Sequence, residues 1–182
     1  MAKIYEEIDD RLAAFLSAQK MFFVATAPLS PTGHLNLSPK GTDTFRILDT
    51  KTVAYLDLTG SGIETVAHLR ENGRVVIAFC AFEGPPKIVR LHGRGEALEP
   101  GDDGFAELVG LFPARPGTRT IVRVRLDRIA DSCGYAVPLY HYEGERAQLD
   151  EWATRKGPQG VVRYRADNNA ESIDGLPGLR RR

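Results

Sequence analysis

The stretch Thr52-Val53-Ala54-Tyr55-Leu56-Asp57-Leu58-Thr59-Gly60-Ser61-Gly62-Ile63-Glu64-Thr65 reads as a strand that runs into a glycine-bracketed loop and out into a helix. Such a junction leaves backbone N–H groups and the positive end of a helix dipole aimed at one spot, the chemistry of a phosphate seat. Glycines at 60 and 62 let the backbone approach an anion closely, and Ser61 or Thr65 could add a hydroxyl donor. Ser61-x-x-Glu64 is equally a capping box, in which both side chains satisfy the helix's own donors and no ligand is involved. Spacing alone leaves both readings open. The segment is not a P-loop, because it lacks G-x-x-x-x-G-K-[ST]. It is not a dinucleotide fingerprint either, because Thr65 stands where the third glycine belongs.

The surroundings decide what kind of sheet this strand belongs to. Residues 21–27 form a compact apolar run, stopped by Pro28 and the turn cluster Ser30-Pro31-Thr32-Gly33, and residues 34–38 alternate again. Residues 75–82 are continuously apolar, which suggests a strand buried on both faces. Residues 87–98 alternate Val89 and Leu91 against Arg90, His92 and Arg94, with Gly93 and Gly95 marking a bend; residues 118–129 alternate likewise. Helices are expected at 5–19, 63–71, 102–112 and 143–156, the second ending at Asn72-Gly73 and the last at Gly157-Pro158. About six strands with short turns and no regular strand–helix alternation argue against a Rossmann-type parallel sheet. They favour a mainly β fold, a small barrel with peripheral helices. Residues 1–166 form the expected domain and 167–182 an aperiodic tail that something else must pin if it is ordered.

The chain has 182 residues, 42% apolar and 26% charged, which suits one globular domain and excludes disordered, collagenous and coiled-coil classes. Lys and Arg number 24, as do Asp and Glu, so the net charge is zero. That balance removes the electrostatic case for a nucleic-acid binder and points toward specific self-association. Cys80 and Cys133 are too few and too dissimilar in context for a disulfide framework or a C-x-x-C metal site. The acidic N-terminus does not read as a secretory signal, and the longest apolar run, 75–82, is far short of the roughly 20 residues a membrane helix needs. A soluble, cytoplasmic protein is expected. The four histidines show no ligand spacing, so no metal site is expected. Cys133 reads as a reactive thiol or as a buried structural cysteine. Arg90, Arg94, Arg123 and Arg125 read as anion ligands or as solvated, ion-paired residues.

A second candidate is Asn36-Leu37-Ser38-Pro39-Lys40-Gly41. Pro39 would end regular strand pairing and free nearby carbonyl and N–H groups to bond a planar polar ligand, while Lys40 supplies positive charge; the plain alternative is an edge-strand end with a solvated lysine.

Taken in order with Phe22-Phe23-Val24-Ala25-Thr26-Ala27-Pro28, Ala67-His68-Leu69 and Arg90-Leu91-His92-Gly93-Arg94-Gly95, these motifs resemble those of the pyridoxamine 5'-phosphate oxidase-like family of flavin-binding split-barrel proteins. The resemblance covers residues 5–130, and Ser132-Cys133-Gly134-Tyr135 and the Asn168-Asn169 to Gly175-Leu176-Pro177 tail are similar to one subgroup of oxidases in it. It implies a six-stranded antiparallel split β-barrel that dimerises with FMN at the subunit interface, and an FMN-dependent oxidoreductase acting on a small molecule. On this resemblance Asn36, Leu37 and Ser38 would offer groups to the isoalloxazine edge, with Lys40 near the ring or the substrate. Asp57, Leu58 and Thr59 would pass alongside the ring, and Ser61, Gly62 and Thr65 would receive the phosphate, with Arg90 as a second contact. Lys40 or Arg90 would stabilise the reduced, anionic ring. No side chain identifies itself as a general base, so no catalytic residue is named. The oxidases' closing tryptophan- and arginine-containing segment and their Ser-Arg-Lys run have no match, which argues against pyridoxal phosphate synthesis. Rival readings are a non-catalytic flavin-binding or sensing protein, and a split barrel that uses F420 or haem.

Overall fold

Eight antiparallel strands form one sheet in the computed structural model, which describes residues 3–180; Met1, Ala2, Arg181 and Arg182, at the two ends of the expected domain and tail, lie outside the described residues. The strands are β1 (Ile4–Tyr5), β2 (Phe22–Thr26), β3 (Asn36–Lys40), β4 (Phe45–Asp49), β5 (Thr52–Leu58), β6 (Arg74–Cys80), β7 (Ile88–Leu98) and β8 (Thr118–Ser132). Their order is β3-β2-β6-β7-β8-β5-β4, with β1 added on β8. Helices α1 (Asp10–Ala18), α2 (Glu64–Asn72), α3 (Asp103–Leu108) and α4 (Gln148–Asn168) lie around the sheet, and a 3-10 turn (Val109–Leu111) follows α3. The fold is mainly β, of the split-barrel class, with eight strands where six were expected. The two additions are short: β1 occupies what the sequence assigns to the start of the first helix, and β4 has no alternating pattern to announce it.

Alternation along β7 and β8 does what the sequence pattern requires. Val89, Leu91, Val122, Val124 and Ile129 face a core that also takes Leu12 and Leu16 from α1 and the rings of Phe22, Phe45, Tyr55 and Phe79. The sheet bends at Gly93, where the register with β8 shifts and a Cβ would lie 2.2 Å from the Arg125 carbonyl oxygen. Strand β6 is buried on one face only, contrary to the expectation from its unbroken apolarity. The strand closed on both faces is β5, because a second cluster of Ala54, Leu56, Leu98, Phe112 and Ile121 covers the side away from the main core.

Three helix ends follow local rules. The Asp9 carboxylate caps α1 by accepting from Leu12 N at 2.7 Å, and α2 stops at Gly73, whose φ of 70° suits glycine. The expected stop at Gly157-Pro158 is real, since Gly157 has φ 66° and ψ 167°, but a second helical segment follows it to Asn168. Beyond it the tail folds into a clasp, with Leu179 N donating to Asn169 O, Gly178 N to Ala170 O and Ser172 N to Leu176 O.

Candidate functional site

Asp57 is the floor of the site. It lies near the end of β5, 1% exposed, where the doubly covered strand leaves no water to solvate a carboxylate. Two cations and a hydroxyl replace that water: Lys40 Nζ donates to Oδ1 at 3.0 Å, Arg119 Nε to Oδ2 at 2.7 Å and Thr120 Oγ1 to Oδ2 at 3.2 Å. Burial opposes ionisation, but Arg119 and Lys40 outweigh it and hold the carboxyl well below the usual carboxylate range. With two cations on one anion the hub carries net positive charge, and Lys40 is not the freely solvated residue of the plain alternative.

The Gly60–Gly62 turn rests on the same arginine. Arg119 Nη1 donates to Gly62 O at 2.8 Å, and Asn169 Nδ2 donates to Gly60 O at 3.0 Å and to Ser61 O at 3.3 Å. In a trans peptide the C=O and the following N–H point in opposite directions. Three inward carbonyls therefore turn the N–H groups of Ser61, Gly62 and Ile63 away from these donors, those of Ser61 and Gly62 on exposed residues and that of Ile63 on a buried one, and among the described residues none of them meets an acceptor. The capping box is not formed: Ile63 is the N-cap of α2, with no side-chain cap. Glu64 instead leans back over Gly62, where a Cβ would meet its Oε2 at 2.5 Å, and its Oε1 accepts from Ile173 N at 3.4 Å.

On the third side stands β3, at the end of the strand order. Pairing with β2 does not stop at Pro39 as expected but continues to Phe22↔Lys40. Because proline has no N–H, Phe23↔Pro39 is a non-hydrogen-bonded pair, so Leu37 N–H and C=O and Pro39 C=O face the open edge. Asn36 ties this edge to the turn: its Nδ2 donates to Thr65 Oγ1 at 2.9 Å and to Thr26 Oγ1 at 3.2 Å, and its Oδ1 accepts from Ser38 Oγ at 3.0 Å. His68 Nδ1 meets Thr26 Oγ1 at 2.9 Å, and burial lowers the His68 pKa, so this fully buried ring is neutral.

A cavity of about 1010 Å³ opens beside Lys40, between the β3 end and the irregular strap 139–147; Met21, Thr42, Phe82, Tyr140 and Tyr142 line it. The strap is held by a Tyr140–Phe82 ring stack at 5.3 Å and by Thr42 N donating to Glu145 Oε2 at 3.1 Å. Thr42 and Asp43 have φ of 61° and 54°, a conformation costing about 1–3 kcal/mol for such residues, and Arg115 Nη2 fixes it by donating to Thr42 O at 2.6 Å.

Asn36, Leu37, Ser38, Lys40, Asp57, Leu58, Thr59, Ser61, Gly62 and Thr65 thus occupy two adjoining strands and one turn. Within one chain Arg90 does not join them: its Nη1 donates to Ser132 Oγ at 3.0 Å, near the opposite end of β7 from Gly95, which packs on Leu69 of α2. Cys133 is exposed, so the buried structural reading of it fails. Arg119, Thr120, Arg165 and Asn169 were not among the sequence candidates. Arg165 Nε donates to Thr59 Oγ1 at 2.9 Å and Nη2 to Thr118 O at 2.6 Å, which fixes the strand entering the turn. Arg119 alone left a trace, as a charged residue beside the most deeply buried stretch of β8.

The family model described as Pyridoxamine 5'-phosphate oxidase matches residues 8–133, well over half of the chain. A pyridoxamine 5'-phosphate oxidase family protein of Aspergillus flavus, ustO, is 35% identical over 196 residues, covering 98% of this chain and 78% of that protein. Among solved structures, HupZ of Group A Streptococcus has a TM-score of 0.51 at 23% identity, covering 67% of this chain and 91% of that one. An FAD-binding protein of Mesorhizobium loti has a TM-score of 0.50 at 15% identity, covering 72% and 96%. At such identities the two structures speak for the fold alone, but the family match and the Aspergillus relative carry the assignment, and the chain belongs to the pyridoxamine 5'-phosphate oxidase family.

Proposed function

We propose that the protein is an FMN-dependent oxidoreductase with a small-molecule substrate, acting in the cytoplasm as a homodimer with the flavin in the seam. The observation that carries the reading is the set of unpaired N–H groups at the head of α2, those of the exposed Ser61 and Gly62 first and that of Ile63 behind them, a cradle suited to a phosphate. The open edge of β3 lies across from it, with a donor and acceptor at Leu37 and an acceptor at Pro39, which suits the polar edge of a flavin ring. The residues present therefore fit the group, with Ser61, Gly62 and Thr65 at the phosphate and Asn36, Leu37, Ser38 and Lys40 at the ring. Bound FMN would supply two-electron redox chemistry. Asp57, itself fixed by Arg119, holds the Lys40 ammonium at the β3 edge, where it favours negative charge, and the strap with Tyr140 and Tyr142 flanks the adjoining cavity. Family membership and the FAD-binding fold relative agree with flavin chemistry. Leu29, Leu35 and Leu37, each more than 60% exposed along the β3 side, favour burial against a second copy.

Titration of FMN fluorescence with purified protein tests the cofactor, and sedimentation tests assembly, the expected mass being twice the 20.1 kDa chain. Unchanged FMN fluorescence, or selective binding of F420 or haem, would overturn the cofactor assignment. Bound flavin that no reductant in a panel of nicotinamides, amines, alcohols and aldehydes reduces would favour a non-catalytic binding role.

A further inference from the structure

The tail motif that begins at Asn168-Asn169 lies outside the 8–133 family match, yet it reaches into the site. We propose that Asn169 is a positioning residue that makes the Gly60–Gly62 turn an anion seat, and so makes the protein select a phosphorylated flavin over an unphosphorylated one; this rests on the FMN reading above. Asn169 is fully buried, and each of its side-chain polar atoms is committed. Nδ2 donates to Gly60 O and Ser61 O, and Oδ1 accepts from Arg119 Nη1 at 2.9 Å, the same nitrogen that donates to Gly62 O. One amide and one guanidinium therefore set all three peptide planes of the turn. The first of them has only a longer second donor, Arg119 Nη1 at 3.4 Å from Gly60 O; a Cβ at Gly60 would meet no atom within 4 Å, and glycine imposes no preference of its own.

Only a primary amide suits this position. An aspartate would turn two oxygens toward the turn's carbonyls, and an alanine would leave Ser61 O without its donor and Gly60 O with only the 3.4 Å contact from Arg119, so the N–H groups of both peptides could rotate out of line. The amide is itself held by the clasp. Asn169 N donates to Arg165 O and its carbonyl accepts from Leu179 N, both at 2.8 Å. Gly178 passes so close that a Cβ would lie 2.3 Å from Asn169 O, and Arg70 donates to Gly178 O from the far side. The tail thus acts on the turn through Asn169.

Riboflavin shares the ring of FMN and lacks the phosphate, so the ratio of the two affinities isolates the seat. The experiment is fluorescence titration of FMN and of riboflavin with wild-type protein, Asn169→Ala and, as a destabilising control, Val161→Ala, whose buried side chain on α4 makes none of the turn's hydrogen bonds. Wild type is expected to prefer FMN. Asn169→Ala should weaken FMN by about tenfold or more with riboflavin unchanged, the loss of one to two charge-assisted hydrogen bonds. Val161→Ala should lower the melting temperature and keep the wild-type ratio. A preserved FMN-to-riboflavin ratio in Asn169→Ala, or an equal loss for both ligands, would overturn the inference while leaving FMN binding intact. A wild type that binds neither ligand would overturn both readings.

Discussion

Replacing Asp57 by Asn changes almost no volume and removes one charge, so its effect reports on the Lys40–Asp57–Arg119 hub alone. The carboxylate accepts three hydrogen bonds and faces a cation on each oxygen. An asparagine must turn its NH2 toward either Lys40 or Arg119, so a donor meets a cation whichever way the amide lies, and the Arg119 guanidinium, 5% exposed, loses its counter-charge. Breaking a buried pair by removing one partner costs about 3–5 kcal/mol. For a chain of this length each kcal/mol moves the melting temperature by about 2–4 °C, so a fall of about 6–20 °C is expected. Urea unfolding should show a lower midpoint with an unchanged slope. The acid limb supplies a second readout. Because the folded-state pKa of Asp57 is depressed, the hub's contribution is present above the ordinary value of 3.8 and is lost as pH falls below it, and Asp57→Asn should flatten that limb. A loss under about 1 kcal/mol, the value of an exposed ion pair, would refute the reasoning.

Other expectations follow from the same structure. His68 is neutral in the fold and its pKa is lowered by burial, so stability present above pH 6.5 should decline as pH falls below it, and His68→Gln should remove part of that slope in urea unfolding at stepped pH. Glu64→Gln takes a negative charge away from the turn, and FMN should bind about two- to fivefold more tightly in a fluorescence titration. Phe79→Ala opens the four-ring cluster and should cost about 3–5 kcal/mol by chemical denaturation. Leu35→Glu with Leu37→Glu should shift sedimentation toward the monomer, since both leucines lie exposed beside β3.

Much of the sheet is written in local pattern, because β7 and β8 each put one face in the core and the pleat has period two. What escaped was short or set by tertiary contact. Residues 45–49 carry no alternation and become a strand only because β5 offers an edge, while 159–168 bury little beyond Val161 and become helical in spite of Gly157-Pro158. The apolar run 75–82 misled for the opposite reason: composition does not say whether a second layer will arrive to cover the other face. At the site the glycines, Thr65 and the β3 motif were visible because they are contiguous. Arg119 and Asn169 were not, because their side-chain partners lie 50 to 109 positions away and an arginine on a strand or an asparagine at a helix end has many ordinary uses.

The clasp also bears on the order in which the molecule is made. Among the described residues every strand precedes residue 133, so the sheet can close while α4 and the tail are still being synthesised. The Gly60–Gly62 turn cannot take its final form until Asn169 has emerged, since its inward carbonyls wait for a donor more than a hundred positions downstream. Sheet formation and the setting of this turn are thereby separable in time, and the long loop closure falls on the second. If the turn holds the phosphate as proposed, a nascent chain would close its sheet before it could bind FMN, and cofactor uptake would mark that translation has passed the clasp.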